Sequence, residues 1–202
     1  KTSLINMIPR FYDATKGEVL VNGTNVKEYT EEGLRNKIGI VPQKAVLFKG
    51  TIRSNLLWGN ESATENDLME ALKQAQSYDF VMQKENGIDS VVEQNGRNFS
   101  GGQRQRLTIA RALVRKPEIL ILDDSSSALD YTTDANLRKE IAKLKDMTVF
   151  IVSQRTASIM DADQIVVLDD GVIVGMGTHD TLIDSCEVYR EIYESQYGKG
   201  AR

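Results

Sequence analysis

Asn98-Phe99-Ser100-Gly101-Gly102-Gln103-Arg104-Gln105-Arg106 puts a hydroxyl and two side-chain-free backbone N–H groups at the start of what reads as a helix over residues 101–114. Helix N-termini leave backbone donors unpaired, and glycines let a ligand come close, so such a start suits a terminal phosphate. A Gly-Gly pair alone is usually a turn. Here the string continues through Leu107-Thr108-Ile109-Ala110-Arg111-Ala112-Leu113, and Ile119-Leu120-Ile121-Leu122 then runs into Asp123-Asp124. A continuous apolar run of that length marks a strand buried on both faces. Read alone, the two carboxylates at its end fit a strand followed by an acidic helix cap as well as a cation site.

Working outward, Ile38-Gly39-Ile40-Val41 reads as a strand stopped by Pro42, and Val149-Phe150-Ile151-Val152 as another strand buried on both faces. Residues 51–75 turn helical, with Leu68, Met69, Leu72 and Ala75 as an apolar stripe. Leu4, Met7, Ile8 and Phe11 have the spacing of a one-faced helix. Near the start, Glu18-Val19-Leu20-Val21 before Asn22-Gly23 predicts a strand and a turn. Residues 164–174 around Asp170-Gly171 predict a hairpin, and residues 178–197 an amphipathic helical tail. Strands at both ends and helices between them suggest an α/β fold with a mostly parallel sheet and a helical insertion.

Composition narrows the function. The 202 residues carry a formal charge of −4, which argues against bare nucleic acid as the main partner. The single cysteine, Cys186, cannot build a disulfide framework. No apolar run approaches the roughly 18 residues that cross a bilayer.

Lys1-Thr2-Ser3-Leu4 has the form of the end of a phosphate-binding loop, although alone it reads more simply as a helix opening on a charged residue. Together with the glycine-led helix and the acidic strand, in that order and over nearly the whole chain, it resembles the ATP-binding cassette (ABC) family. The resemblance implies a P-loop NTPase, RecA-like core at residues 1–43 and 117–202, with a helical subdomain at 44–116. It also implies that a strand and a Gly-rich loop precede Lys1 in the natural chain. Lys1, Thr2 and Ser3 would bind the phosphates of ATP. Thr2, Gln43 and Asp123 would bind Mg²⁺, and Asp124 would polarise the attacking water. Ser100, Gly101, Gly102 and Gln103 would grip the γ-phosphate of a nucleotide held by a second cassette, and Asp130 would lie along that interface.

Two positions depart from the family pattern. Asp124 stands where a Glu is usual, so its carboxylate is set back by one C–C bond, about 1.5 Å. Gln154 stands at the switch histidine; it can hydrogen-bond a phosphate but carries no proton near neutral pH. The only histidine, His179, reads as a solvated residue at a helix start. Gln94 replaces the Glu of a usual Gly-Glu pair. The intact signature beside these changes implies a heterodimer in which this chain's own site is slow. Residues 47–56 resemble exporters, implying a transmembrane domain docked through Gln43 and the helical subdomain, at the cytoplasmic face of the cell membrane. Two alternatives are a regulatory half-site that holds ATP, and a soluble ABC ATPase acting on DNA or ribosomes. Only about a hundred residues separate Lys1 from Ser100, with no sustained heptad and a single signature, which disfavours the latter.

Overall fold

The computed structural model describes residues 1–198. It comprises two compact units, Thr2–Val152 and the segment from Ser153 onward together with Lys1.

The larger unit opens with α1 (Thr2–Ile5), the hairpin β1 (Leu20–Val21) and β2 (Thr24–Asn25), α2 (Glu31–Asn36) and β3 (Ile38–Val41). Next come β4 (Gly50–Thr51), α3 (Ile52–Leu57), α4 (Glu65–Gln74), α5 (Tyr78–Met82), β5 (Val91–Val92) and α6 (Gly101–Val114). The unit closes with β6 (Ile119–Asp123), α7 (Tyr131–Ile141) and β7 (Thr148–Val152). Strands β3, β6 and β7 form a parallel sheet with β6 in the middle, Val41 opposite Leu122 and Asp123 opposite Val152.

Side chains alternate across a strand, and β6 uses both faces. Leu120 and Leu122 join a core made by Leu56 of α3, Leu72 of α4 and Leu107 of α6. Ile119 and Ile121 join Ile5, Val21, Leu34 and Ile38 on the other side. All five β6 residues are buried, as a continuous apolar run requires. Strand β7 departs from the expectation: Phe150 is half-exposed, and among the described residues β7 pairs only with β6.

Three other readings are corrected in detail. The stripe through Phe11 ends early, because α1 stops at Ile5 and the chain turns at Pro9 and Arg10, the latter at φ 57°. Pro9 has no N–H to continue a helix, and Leu4 and Phe11 are exposed. The helical stretch 51–75 is two helices, each with its own capping box, Thr51 with Ser54 and Thr64 with Asp67. The break holds Gly59, where a Cβ would lie 2.1 Å from the Arg111 carbonyl oxygen of α6. Gly59→Ala should therefore push α3 and α6 apart. Overpacking costs about 1–3 kcal/mol, a melting-temperature loss of roughly 3–10 °C by calorimetry; an unchanged transition would contradict the close approach.

The smaller unit holds the antiparallel pair β8 (Ile165–Asp169) and β9 (Val172–Gly177) and the helices α8 (His179–Ser185) and α9 (Glu187–Tyr197). Asp170 and Gly171 form the two-residue turn with φ of 44° and 81°, the left-handed pair that tight hairpins need. The expected helical tail is thus two helices that meet at Cys186. Ile165, Val167, Leu182, Cys186 and Tyr189 make the core of this unit. His179 is tied down: its Nδ1 is hydrogen-bonded with the Tyr189 hydroxyl at 2.9 Å. No helix among the described residues is long and apolar enough to cross a membrane.

Candidate nucleotide site

The C-terminal edge of the parallel sheet gathers the acidic residues, the place where open α/β sheets bind ligands. Asp123 ends β6 and is buried, and its Oδ1 accepts a hydrogen bond from Thr2 Oγ1 at 3.1 Å across 121 residues of sequence. Thr2 opens α1, with Ser3 exposed beside it in the same turn. A hydroxyl and a carboxylate side by side are hard oxygen donors that fit Mg²⁺. Among the described residues no group of three His, Cys, Asp or Glu side chains could hold a metal alone. A single carboxylate suits Mg²⁺, which keeps waters and takes further oxygens from phosphates.

Asp124 follows in the left-handed region at φ 48°. Asp tolerates that region better than most residues because its short side chain can bond locally. Its N–H donates to the Val152 carbonyl at 2.8 Å, and its Oδ2 accepts from Gln43 Nε2 at 3.1 Å. Gln43 lies two residues past β3, the parallel neighbour of β6. Thr2, Gln43, Asp123 and Asp124 are therefore brought together. Lys1 and Gln154 belong to the smaller unit, where the Gln154 carbonyl accepts from Gln196 Nε2 at 2.7 Å.

The glycine-led helix begins as the sequence predicts. Ser100 is the N-cap of α6, its Oγ accepting from Gln103 N at 3.2 Å while Gln103 Oε1 accepts from Ser100 N at 3.0 Å. In that cap the serine oxygen is an acceptor, so its own O–H proton remains to be donated. Gly101 faces open space, whereas a Cβ on Gly102 would lie 3.2 Å from the Ala128 carbonyl oxygen. The signature and the 127–130 segment thus pack against each other. Asp130 caps α7, accepting from Thr133 N at 2.9 Å and Thr133 Oγ1 at 2.7 Å. These bonds, the backbone one foremost, hold its carboxyl below the usual range.

Two features were not anticipated from sequence. Beneath the 127–130 segment, the buried Asp134 carboxylate accepts from Ser126 Oγ at 2.5 Å and pairs with Arg138. On α6, Arg111 donates from Nη2 to the Val46 carbonyl at 3.0 Å and lies over the Phe48 ring, while its Nη1 is buried without a hydrogen-bond partner. Burial pushes its guanidinium down from the ordinary value. A groove here is lined by Phe48, Trp58, Arg35, Arg111 and Arg115 with no carboxylate, and the Phe48 and Trp58 rings stack at 4.8 Å. The signal in the sequence was a lone arginine among the apolar residues of 107–114.

The family model described as ABC transporter matches residues 1–127. An uncharacterized ABC transporter ATP-binding protein of Bacillus subtilis, YfiB, is 45% identical over 199 residues, covering 98% of this chain and 35% of that protein. A candidate multidrug export ATP-binding/permease protein of Staphylococcus aureus (strain NCTC 8325 / PS 47) is 44% identical over 197 residues, covering 97% of this chain and 34% of its own length. Among solved structures, a bacterial Atm1-family ABC exporter with ATP bound superposes with a TM-score of 0.93 at 34% identity, over 100% of this chain and 35% of the other. The chain thus spans about a third of the length of these relatives. Over that span, the motif order, the parallel sheet with acids at its edge and the matching relatives agree: the chain belongs to the ABC transporter family, as its ATP-binding part.

Proposed function

We propose that this chain hydrolyses ATP as one cassette of an exporter, pairing head-to-tail with a second, non-identical cassette and driving an attached transmembrane domain. The observation that carries the reading is the Thr2–Asp123 pair, with Asp124 and Gln43 beside it at the edge of the sheet. Lys1, Thr2 and Ser3 hold phosphate oxygens, and Thr2, Asp123 and Gln43 hold Mg²⁺. When bound, Mg²⁺ neutralises charge on the phosphates. Asp124 orients the attacking water and accepts its proton, and Gln154 hydrogen-bonds the γ-phosphate. Ser100, with its unspent O–H, Gly101, Gly102 and Gln103 complete the site of the partner cassette, with Asp130 at the interface.

Docking of the transmembrane domain through Gln43 and the helical subdomain is supported by the groove of Phe48, Trp58 and Arg111. Exposed stacked aromatics in a groove lined by Arg35, Arg111 and Arg115 with no carboxylate suit an apolar partner segment that brings one. The assembly then works at the cytoplasmic face of the membrane. A second reading, a regulatory half-site that holds ATP and scarcely turns it over, is favoured by the short Asp124 carboxylate already engaged by Gln43.

The test uses the full-length transporter with its partner in lipid, measuring ATP retention and phosphate release with and without Mg²⁺. Asp123→Asn should lower Mg²⁺-dependent ATP retention at this chain's site by about tenfold or more. Equal retention by the variant, or turnover indifferent to Mg²⁺, would defeat the proposal.

A further inference from the structure

One side chain of α9 organises the segment that follows β7. Residues 153–155 have no ladder to satisfy their backbone, and the only regular structure before β8 is the short turn Thr156–Ser158. Ser153 Oγ accepts from Arg155 N at 2.9 Å, while Gln196 supplies the partners at 154 and 156. Its Nε2 donates to the Gln154 carbonyl at 2.7 Å, and its Oε1 accepts from Thr156 N and from Thr156 Oγ1, both at 2.9 Å. The amide orientation is fixed by its partners, since a carbonyl only accepts and an N–H only donates. Gln196 comes from an anchored helix. Tyr189 and Tyr193, seven and three residues earlier on the same face of α9, are buried, and Tyr189 is bonded with His179. Thr156 is itself buried, so the clamp closes at both ends on fixed groups.

We propose that Gln196 is a positioning residue for Gln154: by pinning the backbone at 154 and 156, α9 sets the direction in which the Gln154 side chain is presented. The inference rests on the reading that Gln154 takes part in holding and turning over ATP. Anything that lifts the end of α9 then loosens nucleotide handling without touching a nucleotide ligand. Met at 196 keeps the length of the side chain and makes none of the three bonds. Glu at 196 keeps the two acceptor bonds but sets a carboxylate oxygen against the Gln154 carbonyl.

The experiment is a double-mutant cycle in the full-length transporter with its partner, whose carboxylate corresponding to Asp124 is neutralised so that residual turnover reports this chain's site. Phosphate release and the dissociation rate of a fluorescent ATP analogue are measured for Gln154→Ala, Gln196→Met, Gln196→Glu and the Gln154→Ala/Gln196→Met pair. Gln196→Met should lower kcat or speed nucleotide release by about fivefold, the scale of a lost hydrogen bond, with Gln196→Glu intermediate. In the Gln154→Ala background the Gln196→Met change should add nothing, because both act through one side chain. A purely structural role for Gln196 gives additive losses, and that result overturns the proposal, as does a Gln196→Met protein with unaltered kinetics while Gln154→Ala is impaired. If Gln154→Ala itself changes nothing, the reading of Gln154 fails and the proposal falls with it. Gln196→Glu keeps the test sharp should Gln196→Met fold poorly.

Discussion

Replacing Ser100 with arginine should abolish most ATP turnover by the assembled transporter, whereas Asp124→Asn should reduce it only modestly. The asymmetry follows from where each residue acts. Ser100 caps α6 beside Gly101, which has open space in front of it; on the proposed reading the chain completes its partner's site there. An arginine would fill that space and remove the cap; losing one preorganised donor to developing charge costs about a hundredfold or more. On the same reading Asp124 serves the site on this chain's own Thr2 and Asp123, and its short carboxylate makes that site the slower of the two. Removing it costs at most about half the total if the two sites turned over equally, and less otherwise. Ser100→Thr keeps the capping oxygen and serves as the folding control. Equal losses for Ser100→Arg and Asp124→Asn, or a fully active homodimer, would refute the unequal pair.

Restoring the usual residues at 124 and 154 should speed turnover at this chain's own site. With the partner's carboxylate corresponding to Asp124 neutralised, Asp124→Glu combined with Gln154→His should raise residual turnover by about tenfold to a hundredfold. A misplacement of about 1 Å in a reacting group costs on the order of a hundredfold, and a positioned acid or base adds a comparable factor. The geometry also gives a cost. Position 124 sits at φ 48°, where glutamate lacks the local bonding that helps aspartate, so the double variant should be less stable by about 1 kcal/mol. It must also give up or reshape the bond from Gln43. Single-turnover phosphate release reads the first effect and thermal melting the second. No gain over background would place the defect outside these two side chains.

Much of the fold was legible because its signals are local. Ile38–Val41 stops where Pro42 forbids a ladder donor, α6 starts at its capping serine, and the Asp170-Gly171 turn announces its hairpin. The pairing of Thr2 with Asp123 was legible only through the family resemblance, since nothing in spacing alone joins residues 121 apart. What failed depended on neighbours distant in sequence. Phe150 has the apolar pattern of a buried strand, but its exposure is decided by which strands flank β7. The 51–75 stretch carries one apolar stripe, yet the carbonyl of Arg111 breaks it at Gly59, a contact that sequence periodicity does not encode. The Gln43–Asp124 bond and the unpartnered Arg111 nitrogen are likewise products of tertiary packing.

Strand β6 divides its side chains between two cores and ends in Asp123, and this has a consequence for local opening. β6 cannot leave without opening both cores. Its amides should therefore exchange with solvent only when the whole unit unfolds, while the turns around Arg10 and the rim of β7 open by themselves far more often. The Asp123 carboxylate thus stands at the end of the strand that both cores share, so its position should be kept through the local openings that free the turns and the rim.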